Sequence, residues 1–185
     1  MKRVIIITDA DEYARKSVIT ISKEIGGYCL ADFASNPTEI EPNDFIQRIL
    51  SINEDPIYVL VDDAGIQGIG PGEKVIQALF DHPDIVIIGA LAVASHTRHS
   101  EWTRIDLAIT QDGEFVGTGV DKEGVIELEG QRINGDTVYI LDQLPIPNVI
   151  AIGDIGKMHG KDDVKKGSPI TKKALKFILE REGIT

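Results

Sequence analysis

The chain has 185 residues, of which 42% are hydrophobic and 26% charged, with one cysteine and a formal charge of −11. That length buries a substantial core within one domain, and the composition excludes wholesale disorder. The acidic excess argues against nucleic acid, whose binders need lysine and arginine to displace counterions, and against adsorption to an anionic membrane by charge alone.

The opening MKRVIIITDADE carries too short an apolar run before Thr8 for a secretory leader. No later stretch approaches the ~18 continuous apolar residues of a membrane-spanning helix. The expectation is a soluble protein that stays where it is made and meets a membrane only through partners. Cations, or a partner with a basic patch, suit its charge. Cys29, alone, excludes an internal disulfide and a cysteine metal cluster.

Residues 4–7 read as a buried strand ending at Thr8, Asp9, Ala10 and Asp11. Ala14, Val18, Ile21 and Ile25 then mark one face of a helix, which Gly26 and Gly27 end. Residues 28–34 suggest a short second strand interrupted by Asp32. A second helix carries Phe45, Ile46, Ile49 and Leu50, with Asn43 or Asp44 as its expected cap. Residues 57–61, apolar and mostly β-branched or aromatic, form a strand suited to burial on both faces. That strand runs into Asp62 and Asp63, then a loop with Gly65, Gly68, Gly70, Pro71 and Gly72, and a helix from about Glu73. Residues 84–94 are another buried strand, followed by the polar loop 95–104.

This alternation of strand and helix predicts a Rossmann-like three-layer α/β sandwich, mostly parallel, with helices on both faces. After Arg104 the rhythm changes. Residues 105–110 and 115–120 flank Asp112-Gly113, a hairpin signal. Residues 125–128 and 137–141 continue as expected antiparallel strands, so a hairpin arm or edge extension near 105–141 completes a single domain spanning 1–185. An open edge of this kind suits pairing into a homodimer. Residues 149–152 form the last core strand, tipped by Asp154. Ser168 and Pro169 then start a helix burying Ala174, Leu175, Ile178 and Leu179.

Three strands thus end in acid: Asp9 with Asp11, Asp62 with Asp63, and Asp154. In a parallel sheet these tips share one edge, where ligands bind. Clustered carboxylates repel unless compensated, and a hard cation, Ca2+ or Mg2+, is the natural occupant, held by Asp9, Asp62 and Asp154. The competing reading has the same acids capping helices and pairing with nearby lysines. The glycine loop matches neither a Walker A sequence nor a dinucleotide fingerprint, but the amides of Gly70, Gly72 and Glu73 can hold an anion at a helix start. Arg98 and Arg104, in the loop with His96, His99, Glu101 and Trp102, can grip a carboxylate two-pronged. His96 and His99 are spaced to share a metal, although a solvated polar loop pinned by Trp102 is the favoured reading of that pair. No nucleophile stands out, so no catalytic residue is assigned.

TDADEYA (8–14), DDAG (62–65), GPGE (70–73) and ALAVASHTRHSEWTRID (90–106) together resemble the stage V sporulation protein AE family of spore-forming bacteria, specifically its soluble branch. GVDKEG (119–124), NGDTVYILD (134–142), IGDIGKMHGKDD (152–163) and KGSPIT (166–171) extend the likeness over nearly the whole chain. The resemblance implies a role in sporulation and germination. It implies association with other stage V sporulation A-type proteins, which move calcium dipicolinate across the spore inner membrane, and so a peripheral place in the forespore or spore. It supplies no catalytic residue. Dipicolinate, a dianion, suits Arg98 or Arg104, and calcium suits the acidic rim. A second hypothesis is a magnesium-dependent phosphoryl-transfer or nuclease-like domain, because TDADEYARKS resembles the Asp-x-Asp half of Toprim domains; the glutamate that such domains carry on an earlier strand has no counterpart here. A third is a structural adaptor with a merely acidic edge.

Overall fold

The computed structural model describes residues 1–66, 69–95, 102–128, 130–135 and 137–184. Gly68, His96, Arg98, His99 and Glu101 lie outside the described residues, so the expectations placed on them are not taken further.

Strand β1 (Lys2–Ile7) leads into helix α1 (Glu12–Ile25) and the short strand β2 (Tyr28–Cys29). Helix α2 (Pro42–Ser51), β3 (Ile57–Leu60), α3 (Pro71–Asp81) and β4 (Ile85–Val93) complete the alternating half. Then come β5 (Trp102–Arg104), β6 (Leu107–Ile109), β7 (Phe115–Val116) and β8 (Arg132–Asn134). The chain closes with α4 (Ile140–Gln143), β9 (Val149–Ile152) and α5 (Pro169–Arg181).

The main sheet has the order β2-β3-β1-β4-β9-β6-β7, and only β7 runs antiparallel. Period-two alternation explains the two cores. Val4, Ile6 and Val59 face one side with α2 and α3, while Ile5, Ile7 and Leu60 face the other with α1 and α5. Both faces are covered, which is why these strands read as continuous apolar runs rather than alternating ones. The result is the expected α/β sandwich. From β1 the chain turns towards β2, whereas from β4 it turns towards β9, so the connections diverge at the carboxyl ends of β1 and β4. Divergence of that kind opens a crevice in α/β sheets.

Several local expectations need correction. Residues 30–34 are not strand; a 3-10 turn over Ala31–Phe33 replaces it. Helix α2 starts at Pro42 after Glu41, with no side-chain cap, so neither Asn43 nor Asp44 caps it. The edge hairpin exists around Gly113, whose φ of 81° supplies the left-handed turn residue. It is shorter than its sequence suggests, and residues 125–128 contribute one isolated bridge, Val120 to Ile126. Residues 137–141 are not a strand, because the chain there enters the single turn α4. The antiparallel partner is instead β8, which pairs with β5 in a separate two-stranded sheet. Strand β5 falls in the stretch that read as loop, and β8 lies between the two segments expected to be strands.

Ser168 precedes α5, yet its side chain does not cap the helix. Its hydroxyl donates to Ser17 on α1 at 2.7 Å. The cap is Asp162, completely buried, which accepts from the Ile170 and Thr171 amides, the Thr171 hydroxyl and the Gly156 amide at 2.6–3.0 Å. One carboxylate therefore ties the loop after β9 to the start of α5.

Candidate functional site

The crevice between β1 and β4 is a cleft of about 140 Å³ lined by Thr8, Asp9, Asp11, Asn36, Asp62, Val93, Ser95 and Asp154. Thr8 closes its floor: its hydroxyl accepts the Val93 amide at 3.0 Å and so stitches β1 to β4 where both strands end. Asp9 follows, 7% exposed, and accepts the Asp11 amide at 3.2 Å. Asp11 caps α1 by accepting from Ala14 at 2.8 Å. Asp62 turns the chain after β3 by accepting the Ala64 amide at 2.8 Å, while its own amide donates to Thr38. Asp154 follows β9, its amide bound to the Lys122 carbonyl at 2.7 Å. Four carboxylates from three strand tips therefore share one small cleft.

Burial, reinforced by neighbouring acids, shows in the acidities of Asp9 and Asp154. Burial pushes the Asp9 carboxyl up to about 8, and the charges of Asp11, Asp62 and Asp154 push the same way against the Asp11 amide. At pH 7 Asp9 is therefore mostly neutral. Asp154 is also raised, chiefly by burial, although Lys157 opposes the shift. The Lys157 ammonium lies 3.1 Å from Asp11, 4.0 Å from Asp154 and over the Tyr13 ring. Burial lowers the Lys157 pKa, but the hydrogen bond and charge of Asp11, then Asp154 and Asp9, outweigh it and raise the pKa overall. Among the described residues no three acidic, histidine or cysteine side chains form a ready-made metal cage. The cleft gathers carboxylates without fixing them at coordination distance.

The other candidate residues lie elsewhere. Asp63 points away from the cleft into the start of α3 and accepts the Gly72 amide at 2.6 Å and the Glu73 amide. Burial raises its pKa while these donors oppose the shift. The buried Thr137 hydroxyl lies close enough to favour the carboxylate without completing a hydrogen bond. The helix start that Gly70, Gly72 and Glu73 were expected to offer to an anion is thus occupied by the chain's own acid. A side chain at Gly70 would collide with the Asp63 carboxylate, which explains a glycine there. Arg104 sits exposed on β5, where its amide donates to Asp142 at 3.2 Å; it does not line the cleft. Cys29 is buried and its thiol is pushed up to about 12, mainly by burial, so it is no nucleophile at neutral pH.

Thr8 and Asn36 were not singled out from the sequence. Thr8 stands directly before the first acid, so a polar residue closing an apolar strand was the available signal. Asn36 reaches the cleft from the loop after β2, and nothing local marks it.

This arrangement joins a second finding. The family model for stage V sporulation protein AE1 matches residues 3–182. The chain belongs to that family. No match was found among curated proteins or among solved structures. Family membership makes this a sporulation-related protein, and the matched span covers every strand tip that contributes to the cleft. No helix among the described residues is long and apolar enough to cross a membrane.

Proposed function

We propose that the chain is a non-enzymatic accessory of the calcium dipicolinate machinery of the spore inner membrane. It docks there on stage V sporulation A-type partners and takes up calcium in the cleft through Asp9, Asp62 and Asp154. Family membership supports the process. The observation that supports the ligand is the convergence of acids from three strand tips on one small cleft, with Asp9 buried among them. A carboxyl whose acidity is suppressed by burial, and further by neighbouring acids, releases its proton when a divalent cation supplies the missing positive charge. With Arg104 outside the cleft, dipicolinate would meet this site through the bound calcium.

The Toprim-like alternative gains nothing from the geometry, because Asp11, which it needs as a metal ligand, caps α1 and pairs with Lys157. Calorimetric titration with calcium, dipicolinate and their mixture tests the reading. The expected result is saturable calcium heat that strengthens from pH 6 to pH 8 and disappears in Asp62→Asn. Absence of heat at millimolar calcium removes the ligand and leaves docking alone.

A further inference from the structure

Beside the acidic cleft, the same edge of the sheet carries a second and wider cavity. It holds about 620 Å³ and is lined by the apolar side chains of Trp102 on β5, Val120, Ile126 and Leu128, and by the charged ones of Asp121, Lys122 and Glu127. Ser95 lines both cavities, so groove and cleft meet past the end of β4.

Apolar exposure is concentrated here. Among the described residues nine large apolar side chains are exposed, and three of them, Val125, Ile126 and Leu128, fall within four positions, Leu128 at 91%. Looseness does not explain it. Val120 forms a bridge with Ile126, the Asp121 amide donates to the Val125 carbonyl and the Glu127 amide to the Gly119 carbonyl, and the Asp121 carboxylate accepts the Glu123 and Val125 amides, both at 2.9 Å. The turn is also fixed to the sheet. The Asp154 amide donates to the Lys122 carbonyl at 2.7 Å, and a side chain at Gly153 would strike the backbone of Lys122 and Gly124. A tightly bonded turn therefore holds branched apolar side chains open to water next to an indole, which is a preorganised apolar surface.

The charge around it is one-sided. Asp121 and Glu127 line the groove, and Asp11, Asp62 and Asp154 line the cleft it opens into, against Lys122 in the groove and Lys157 beside the cleft. We propose that this groove docks a segment of a partner protein that carries a leucine- or phenylalanine-sized anchor flanked by lysine or arginine. The anchor packs on Trp102, Ile126 and Leu128, and the flanking cations face Asp121, Glu127 and the acids of the cleft. Preorganised pockets with an aromatic wall are where binding energy concentrates in interfaces, and the surplus of carboxylates selects basic flanks and repels acidic ones. The same surplus disfavours an anionic bilayer. The proposal names a surface for the docking part of the function proposed above and takes nothing from its calcium part.

Amide-resolved NMR titration of the full chain in EDTA tests it, with three capped hexapeptides as probes. The first has leucine and phenylalanine between two pairs of lysines, the second replaces the lysines by glutamates, and the third replaces the apolar pair by serines. The first should give saturable shifts at Trp102, Val120, Ile126 and Leu128, and the other two should bind about tenfold more weakly or less. Leu128→Ser and Ile126→Ser, both at exposed positions, should each weaken the first peptide about fivefold or more while leaving distant amides unmoved. Equal response to the three peptides, or affinity unmoved by both variants, overturns the proposal. So does self-association, or binding to phosphatidylglycerol vesicles, that Leu128→Ser abolishes while no peptide shifts the groove, since the face would then be a contact between copies or with lipid. Because EDTA removes calcium, a failed calcium titration leaves this surface standing, and failure of the peptides leaves calcium uptake standing.

Discussion

Replacing Asp9 by asparagine removes an ionisable group from the cleft while keeping an oxygen to accept the Asp11 amide. The folded carboxyl titrates at about 8 against an ordinary 3.8, so between those values the folded protein binds a proton that the unfolded chain releases. Wild-type stability contributed by this group is therefore full below pH 4 and is lost as pH rises towards 8. At about 1.4 kcal/mol per pH unit the gap sets a ceiling of about 6 kcal/mol. Relaxation of the Asp11 turn and water at the cleft mouth reduce the observable part to about 2–4 kcal/mol. Urea unfolding of both proteins from pH 4 to pH 9 measures it. The curves should nearly coincide at pH 4 and diverge with rising pH, Asp9→Asn becoming the more stable. Comparing the two proteins at each pH cancels the titrating groups that do not interact with Asp9. Parallel curves would show that Asp9 is not held neutral, and the argument from mutual repulsion would fail.

Two further outcomes follow from residues outside the cleft. Asp162→Ala strips four donors of their acceptor in a fully buried position and should cost about 3–5 kcal/mol in chemical denaturation; a loss under about 1 kcal/mol would show that the loop after β9 and the start of α5 do not depend on it. Gly70→Ala should destabilise by about 2 kcal/mol or more, because the new methyl displaces the Asp63 carboxylate from the α3 amides, and equal melting temperatures for wild type and variant would refute that packing.

The central strands were legible because each is buried on both faces: β1, β3, β4 and β9 read as unbroken apolar runs, and a parallel sheet then brings their tips to one edge without knowledge of strand order. That reasoning also placed Asp9, Asp11, Asp62 and Asp154 together. It could not separate Asp62 from Asp63, since adjacent residues at a strand end point opposite ways and only the α3 start reveals which turns inward. The region 105–141 was less legible. Its strands are two or three residues long, too short for alternation to register, and β5 finds its partner about thirty residues away. Arg104 was assigned to the sheet edge because β5 read as loop, whereas pairing with β8 carries it to the side. Asp162 was invisible for a related reason: in KDD it looks solvated, and only the fold turns it under the start of α5.

The most direct measurement is a calcium titration of isotopically labelled protein, followed by carboxyl carbon NMR near pH 7. The Asp9, Asp62 and Asp154 carboxyl signals should shift together along one saturable curve, with Asp9 losing its proton as calcium enters, while Asp106 at the opposite end of the sheet stays still. Shifts that are absent, or spread evenly over every surface acid, would contradict a common cation cleft at the strand tips.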